Sequence, residues 1–129
     1  MMAADFKDLL VWQKAMDLAE MVYALVKLLP KDEQFELSSQ IRRAAVSIPS
    51  NIAEGQGRKS NREFMRFLSI ARGSRAELET QLMLAQRLGY VTKEQIVPAI
   101  LLCNEVGRML HALMQSVSSA AEQLSTVDC

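Results

Sequence analysis

Four stretches of this chain repeat apolar residues at intervals of three and four, and that spacing constrains its fold more than any other feature. Positions i, i+3, i+4 and i+7 share one face of an α-helix, whereas a half-buried strand alternates every second residue. Val11, Ala15, Leu18, Val22, Leu25 and Leu29 keep the helical spacing, with Trp12, Ala19 and Val26 widening the stripe. Leu37, Ile41, Ala44, Ala45, Ile48 and Ile52 form a second stripe, and Phe64, Phe67, Ala71, Ser74, Leu78, Leu82 and Ala85 a third. The fourth includes Ile96, Ile100, Cys103, Leu110, Met114 and Val117. No strand pattern competes. The expected fold is all-α, an antiparallel up-down four-helix bundle with helices at about 9–29, 37–56, 60–88 and 92–120. One domain spans 1–121. Residues 122–129 are expected to form a flexible tail, with fraying from 118 onward where Ser and Ala dominate.

The stops between stripes are chemically marked. Asp8 is a candidate N-cap for the first helix, and Pro30 ends it. Gly55 and Gly57 close the second, Ser60 with Glu63 forms a capping box for the third, and Gly89 caps its end. Thr92 with Gln95 opens the fourth. Pro49 lies inside the second stripe, where it removes a hydrogen bond to the Ala45 carbonyl and costs about 3 kcal/mol in an ordinary helix interior. The apolar face stays in phase from Ile41 to Ile52, so one kinked helix is expected rather than two.

Composition closes off several functions. The chain has 129 residues, equal numbers of acidic and basic side chains, few Gly and Pro, and half its residues apolar, which fits a globular domain and argues against disorder. Residues 1–8 lack the apolar core of a secretory signal, so a cytoplasmic location is expected. The longest apolar run, 96–103, contains Pro98 and is far shorter than the roughly 18 residues a membrane span requires, so no membrane association is expected. Cys103 and Cys129 are not spaced as a metal or redox pair, and His111 is the lone histidine. A di-iron bundle needs Glu-x-x-His, and Arg108 stands three before His111. No metal, cofactor or catalytic residue is expected. His111 reads as an ordinary partly buried or surface histidine, and the eight methionines read as core filler and interface surface.

Overall neutrality conceals a division. Residues 1–41 carry four basic and seven acidic side chains, residues 42–75 eight and two, and residues 76–129 three and six. On a helical wheel Arg58, Lys59, Arg62 and Arg66 fall opposite the stripe of Phe64, Phe67, Ala71 and Leu78. The plain reading is a solvated face; the alternative is a patch that binds RNA or DNA through phosphates, with little sequence preference and strong salt dependence. In the second helix Arg43, Ser47, Ser50 and Glu54 form a polar stripe opposite Ile41, Ile48 and Ile52. Its serines suit bonding to carbonyls freed around Pro49 or across a subunit boundary. An enzyme pocket built from Ser47, Ser50, Asn51 and Glu54 would lack a base beside either serine. Gly73 and Gly107 are costly in mid-helix by about 1 kcal/mol each, which points to close approach of another backbone. Gly73, Glu77 and Thr80 share the non-core face of the third helix and are expected against a neighbouring helix or subunit. Arg75 and Glu79 have the spacing of an intrahelical ion pair. The fourth helix is apolar nearly all round over 96–103, which one bundle core cannot hide, so part of it is expected to meet another chain.

The stretch QIRRAAVSIPSNIAEG at 40–55, with LLVWQKAMDLA at 9–19 and ARGSRAELET at 71–80, resembles the four-helix-bundle family encoded in intervening sequences of bacterial large-subunit ribosomal RNA genes. The resemblance is close over the first three helices and extends to the fourth by pattern. It implies an antiparallel four-helix bundle that forms a ring-shaped homopentamer. The family is more distantly similar to the accessory variability determinant of diversity-generating retroelements, which implies a reverse-transcriptase-like protein and nucleic acid as partners. The function expected on these grounds is a non-enzymatic homo-oligomeric scaffold that engages RNA, DNA or a nucleic-acid-processing protein through Arg58, Lys59, Arg62 and Arg66. Its rival is a protein interaction module in which the basic middle meets acidic helices of adjacent subunits.

Overall fold

The computed structural model describes the backbone of residues 5–127 and the side chains of 5–120. Four helices follow in order: α1 (Leu10–Val26), α2 (Leu37–Gln56), α3 (Asn61–Arg87) and α4 (Lys93–Val127). No strand occurs among the described residues. Each helix packs against its neighbours in sequence and α1 closes against α4, while the diagonal pairs do not meet. Gly55 meets Phe64 and Phe67, and Ser47 meets Ser74, so α2 and α3 run antiparallel. The four stripes supply the core: Leu18, Val22, Ile41, Ile48, Ile52, Leu78, Leu82, Val106 and Leu110 are all sealed from solvent. Fully burying one such side chain contributes about 1.5–3 kcal/mol.

The ends of the helices repay attention to chemistry. Asp8 does not cap α1. It ends a single 3-10 turn, Phe6–Asp8, whose own cap is Asp5, accepting from the Lys7 N–H at 3.0 Å, while Leu9 stands at the head of α1 without a side-chain cap. Phe6 instead packs edge-on against Trp12, at 5.2 Å between ring centres, and folds the turn back over the helix. α1 also ends earlier than Leu29, at Val26, because Pro30 draws the chain into an extended conformation that the preceding residues must approach in turns. Thr92 and Gln95 form a complete capping box, each side chain bonding the other's N–H at 3.1 and 2.8 Å. Ser60 accepts from Glu63 N–H at 3.2 Å. At the far end of α3, Gly89 takes φ +80°, and Gly89 and Tyr90 donate to the Gln86 and Ala85 carbonyls, a Schellman closure that L side chains resist.

α2 is one helix through Pro49. α4 passes residue 120 and stays helical to Val127, since nothing from Ser118 onward breaks it; of the tail expected at 122–129, the side chains and residues 128–129 lie outside the described residues. By length and composition α4 is apolar enough to cross a membrane, a property the short run at 96–103 does not reveal. Its stripe from Ile96 to Val117 forms the fourth wall of the core. The α1–α2 and α3–α4 connections share one end of the bundle, tied by Tyr90 Oη donating to Glu33 Oε2 at 2.8 Å. That bond to a carboxylate raises the Tyr90 pKa above its ordinary value.

Candidate nucleic-acid interface and assembly face

The basic cluster lies at the opposite end, where α2 turns into α3. Its geometry differs from the helical wheel. Arg58 and Lys59 precede the helix, which begins at Asn61, so they obey no helical periodicity. The guanidinium carbons of Arg58 and Arg66 stand 4.8 and 4.9 Å from the centre of the Phe67 ring, on the apolar side rather than opposite it. A cation over an aromatic face is attracted by the ring quadrupole, which holds both arginines close to the protein. Arg58 also pairs with Glu54 at 3.3 Å. Lys59 and Arg62 are exposed and make no ion pair among the described residues.

On α2, Arg43, Ser50 and Glu54 are exposed and Ser47 half-buried. Within the chain, Ser47 Oγ lies 2.7 Å from Ser74 Oγ on α3 and accepts from Asn51 Nδ2 at 2.9 Å, rather than bonding a carbonyl freed by Pro49. Asn51 donates to the Ser47 carbonyl as well, at 2.8 Å. The result is a polar rivet between two helices, with Ser74 nearly sealed. A nucleophilic serine needs a general base within reach, and the two partners of this hydroxyl are an amide and another serine. Gln81, only 8% exposed, stands outside the apolar spacing of α3, and its Oε1 has no hydrogen-bond partner among the described residues.

The glycines divide sharply. A methyl on Gly55 would stand 2.9 Å from both Phe64 Cδ1 and Phe67 Cβ, so this glycine lets α3 ride directly on the last turn of α2. Gly107 is approached by Arg75, whose Nε would lie 3.0 Å from an added Cβ. Arg75 pairs with Glu79 at 2.8 Å as its spacing predicts. Gly73, by contrast, has open space around it: no described atom beyond its own helix lies within 4 Å of an added Cβ, so the neighbouring helix expected there is not one of the described helices of this chain. Glu77 and Thr80 are exposed beside it.

Cys103 is sealed within α4, and burial pushes its thiol up to about 11, an effect that Arg75 partly offsets and Glu79 increases. The thiolate is the reactive species, so this cysteine should be inert in the native chain. Treatment with iodoacetamide at pH 8, followed by peptide mapping, is expected to label Cys103 only after denaturant is added; equal labelling of native protein would contradict its enclosure.

Apolar side chains are exposed on all four helices: Leu10, Met16 and Tyr23 on α1, Val46 on α2, and more on α3 and α4, besides Phe35, 83% exposed, in the α1–α2 connection. On α3 these residues are Ile70, Met83 and Leu84; on α4, Val97 and Leu101, the latter 62% exposed. Along α3, Ile70 precedes and Met83 and Leu84 follow the stretch that carries Gly73, Glu77 and Thr80. His111 is exposed, with Nε2 3.3 Å from the Gln115 amide. No group of His, Cys, Asp and Glu suited to a metal occurs among the described residues.

A crystal structure of a protein of unknown function from the S23 ribosomal protein family of Bacteroides thetaiotaomicron matches with a TM-score of 0.76 and 30% identity, covering 81% of this chain and 98% of the other. Among curated proteins nothing matches. The profile of the 23S rRNA-intervening sequence proteins matches residues 7–112, through all of α1 to α3 and more than half of α4. A match over that span, on a bundle whose α2 carries the 40–55 motif intact, means that the chain belongs to the 23S rRNA-intervening sequence protein family.

Proposed function

We propose that the chain is a homo-oligomeric helical scaffold, pentameric as the family resemblance implies, whose cationic end engages RNA, DNA or a nucleic-acid-processing protein. The observation that carries the assembly is the apolar surface left on α3 by Ile70, Met83 and Leu84 on either side of an open helical glycine, with Val97 and Leu101 exposed on α4. A monomer gains nothing from Gly73, which weakens α3 by about 1 kcal/mol relative to alanine. A close-packed neighbouring subunit would make use of it. Interfaces between copies bury such surface and exclude water from it.

The nucleic-acid part rests on Lys59 and Arg62 standing free beside Arg58 and Arg66. A second reading, an interaction module without nucleic-acid affinity, rests on the same residues: two of the four cations already have partners in Phe67, and one of those also in Glu54. Titrating the protein with structured RNA and duplex DNA at two salt concentrations separates the readings. Binding through four phosphate contacts on duplex DNA gives a log–log salt slope of about −3.6. Reversal of charge at Arg58, Lys59, Arg62 and Arg66 together is expected to abolish that slope and the duplex binding with it. Absence of binding by either nucleic acid would leave the interaction module standing, and salt-insensitive duplex binding, or duplex binding that survives the reversal, would remove the patch from the interface.

A further inference from the structure

Two adjoining recesses run along the seam between α1 and α2, away from the patch described above. One, of about 460 Å³, is lined by Tyr23, Ser39, Arg42 and Arg43 among others; the second, of about 330 Å³, adds Lys27 and Lys31. Tyr23 and Arg42 belong to both, so the two form one continuous groove. Its walls carry four cations and no carboxylate. None of the four takes part in an ion pair among the described residues. Arg42 is fixed by donating Nη2 to the Gln34 carbonyl at 3.1 Å, which leaves its other N–H groups for a ligand. The Tyr23 ring, 44% exposed, stands at the junction of the two recesses.

We propose that this groove is a second anion site, which takes the phosphates of a nucleotide or a single strand on Arg42, Arg43, Lys27 and Lys31 and a base on Tyr23. Like charges gathered in a concave site without a counter-ion raise the local potential and draw anions into it. Guanidinium groups match phosphate geometry through paired N–H donors, and the Ser39 hydroxyl is a further donor. An exposed aromatic ring beside a cationic track is the recurring platform for unpaired bases. The volumes fall at the lower end of small-ligand sites, a fit to one nucleotide in each recess. Sequence reasoning overlooked the groove because Lys27 and Lys31 belong to the acidic first third of the chain, and only the packing of α1 on α2 brings them to Arg42 and Arg43.

The test is binding of the purified full chain to adenosine monophosphate, adenosine, inorganic phosphate and a fluorescent octanucleotide of single-stranded RNA. The site predicts that adenosine, which lacks phosphate, does not bind. Arg42→Glu with Arg43→Glu is expected to weaken the phosphorylated ligands at least tenfold, and Tyr23→Ala to weaken the monophosphate and the octanucleotide several-fold while leaving inorganic phosphate unchanged. Lys27→Glu with Lys31→Glu, both on exposed positions, repeats the test should the arginine variant fold poorly. The octanucleotide binding more tightly than the monophosphate identifies a strand as the ligand; equal affinity identifies the free nucleotide. Reversal of Arg58, Lys59, Arg62 and Arg66 leaves groove binding within twofold, so loss of that patch's function and loss of this site are told apart. Absence of binding by every phosphorylated probe at millimolar concentration overturns the proposal. So does a change in native mass in the arginine variant without any nucleotide affinity, which would assign the groove to contact between copies.

Discussion

Gly55→Val is expected to lower the unfolding free energy by about 3 kcal/mol, at the upper end of what overpacking usually costs. The Cβ it introduces would stand 2.9 Å from Phe67 Cβ and Phe64 Cδ1. The Phe64 ring can turn aside, but Phe67 Cβ is fixed to the α3 backbone, so the two helices must part where Ile52 and Phe67 are buried. Replacing a helical glycine also returns up to about 1 kcal/mol of helix propensity, so Gly55→Ala should cost only about 1–2 kcal/mol. Denaturant unfolding measures both. Gly57 supplies the control: its nearest neighbours are backbone carbonyls at 3.6 and 3.9 Å, and Gly57→Ala should be almost neutral. Equal effects at the two positions would mean that α3 does not ride on Gly55.

The second large effect concerns Gly73 and separates folding from assembly. Its surroundings within the chain are empty, so Gly73→Ala should stabilise an isolated subunit by about 1 kcal/mol through helix propensity alone. Gly73→Leu should leave the subunit folded, as judged by circular dichroism, yet break the proposed oligomer into subunits, because the added side chain would fill the space that the proposal gives to a neighbour's helix. A leucine variant with unchanged mass and unchanged assembly stability would remove Gly73 from the interface.

Much of the bundle was legible because its signals are local. Three-four spacing identifies the faces of all four helices, and Thr92 with Gln95, Gly89, and Arg75 with Glu79 each act within a few residues of chain. The continuity of α2 across Pro49 also follows from unbroken apolar phase. What remained hidden depends on how one helix meets another. Asp8 has the chemistry of a cap, but Phe6 packing on Trp12 places it in a 3-10 turn. Arg58, from the α2–α3 turn, and Arg66, from α3 itself, both fold over the Phe67 ring, which the wheel does not show. The rivet of Asn51, Ser47 and Ser74 requires the register of α2 against α3, and the cationic groove requires that of α1 against α2. Serine spacing on one helix contains neither.

The family match bears on the same division. Residues 7–112 include the motif in α2, both sides of the α2–α3 seam and Gly73, whereas the residues beyond 112 carry the end of α4. The conserved architecture implied by a TM-score of 0.76 concerns the bundle, so assembly and ligand binding are properties to be measured on this chain.

Sedimentation equilibrium of the purified protein at micromolar concentration tests the central claim most directly. Uncovered apolar side chains on α3 and α4 predict a particle that is an integral multiple of 14.4 kDa, five copies under the family resemblance, and that Gly73→Leu reduces to single subunits. A wild-type particle of 14.4 kDa under those conditions would contradict it.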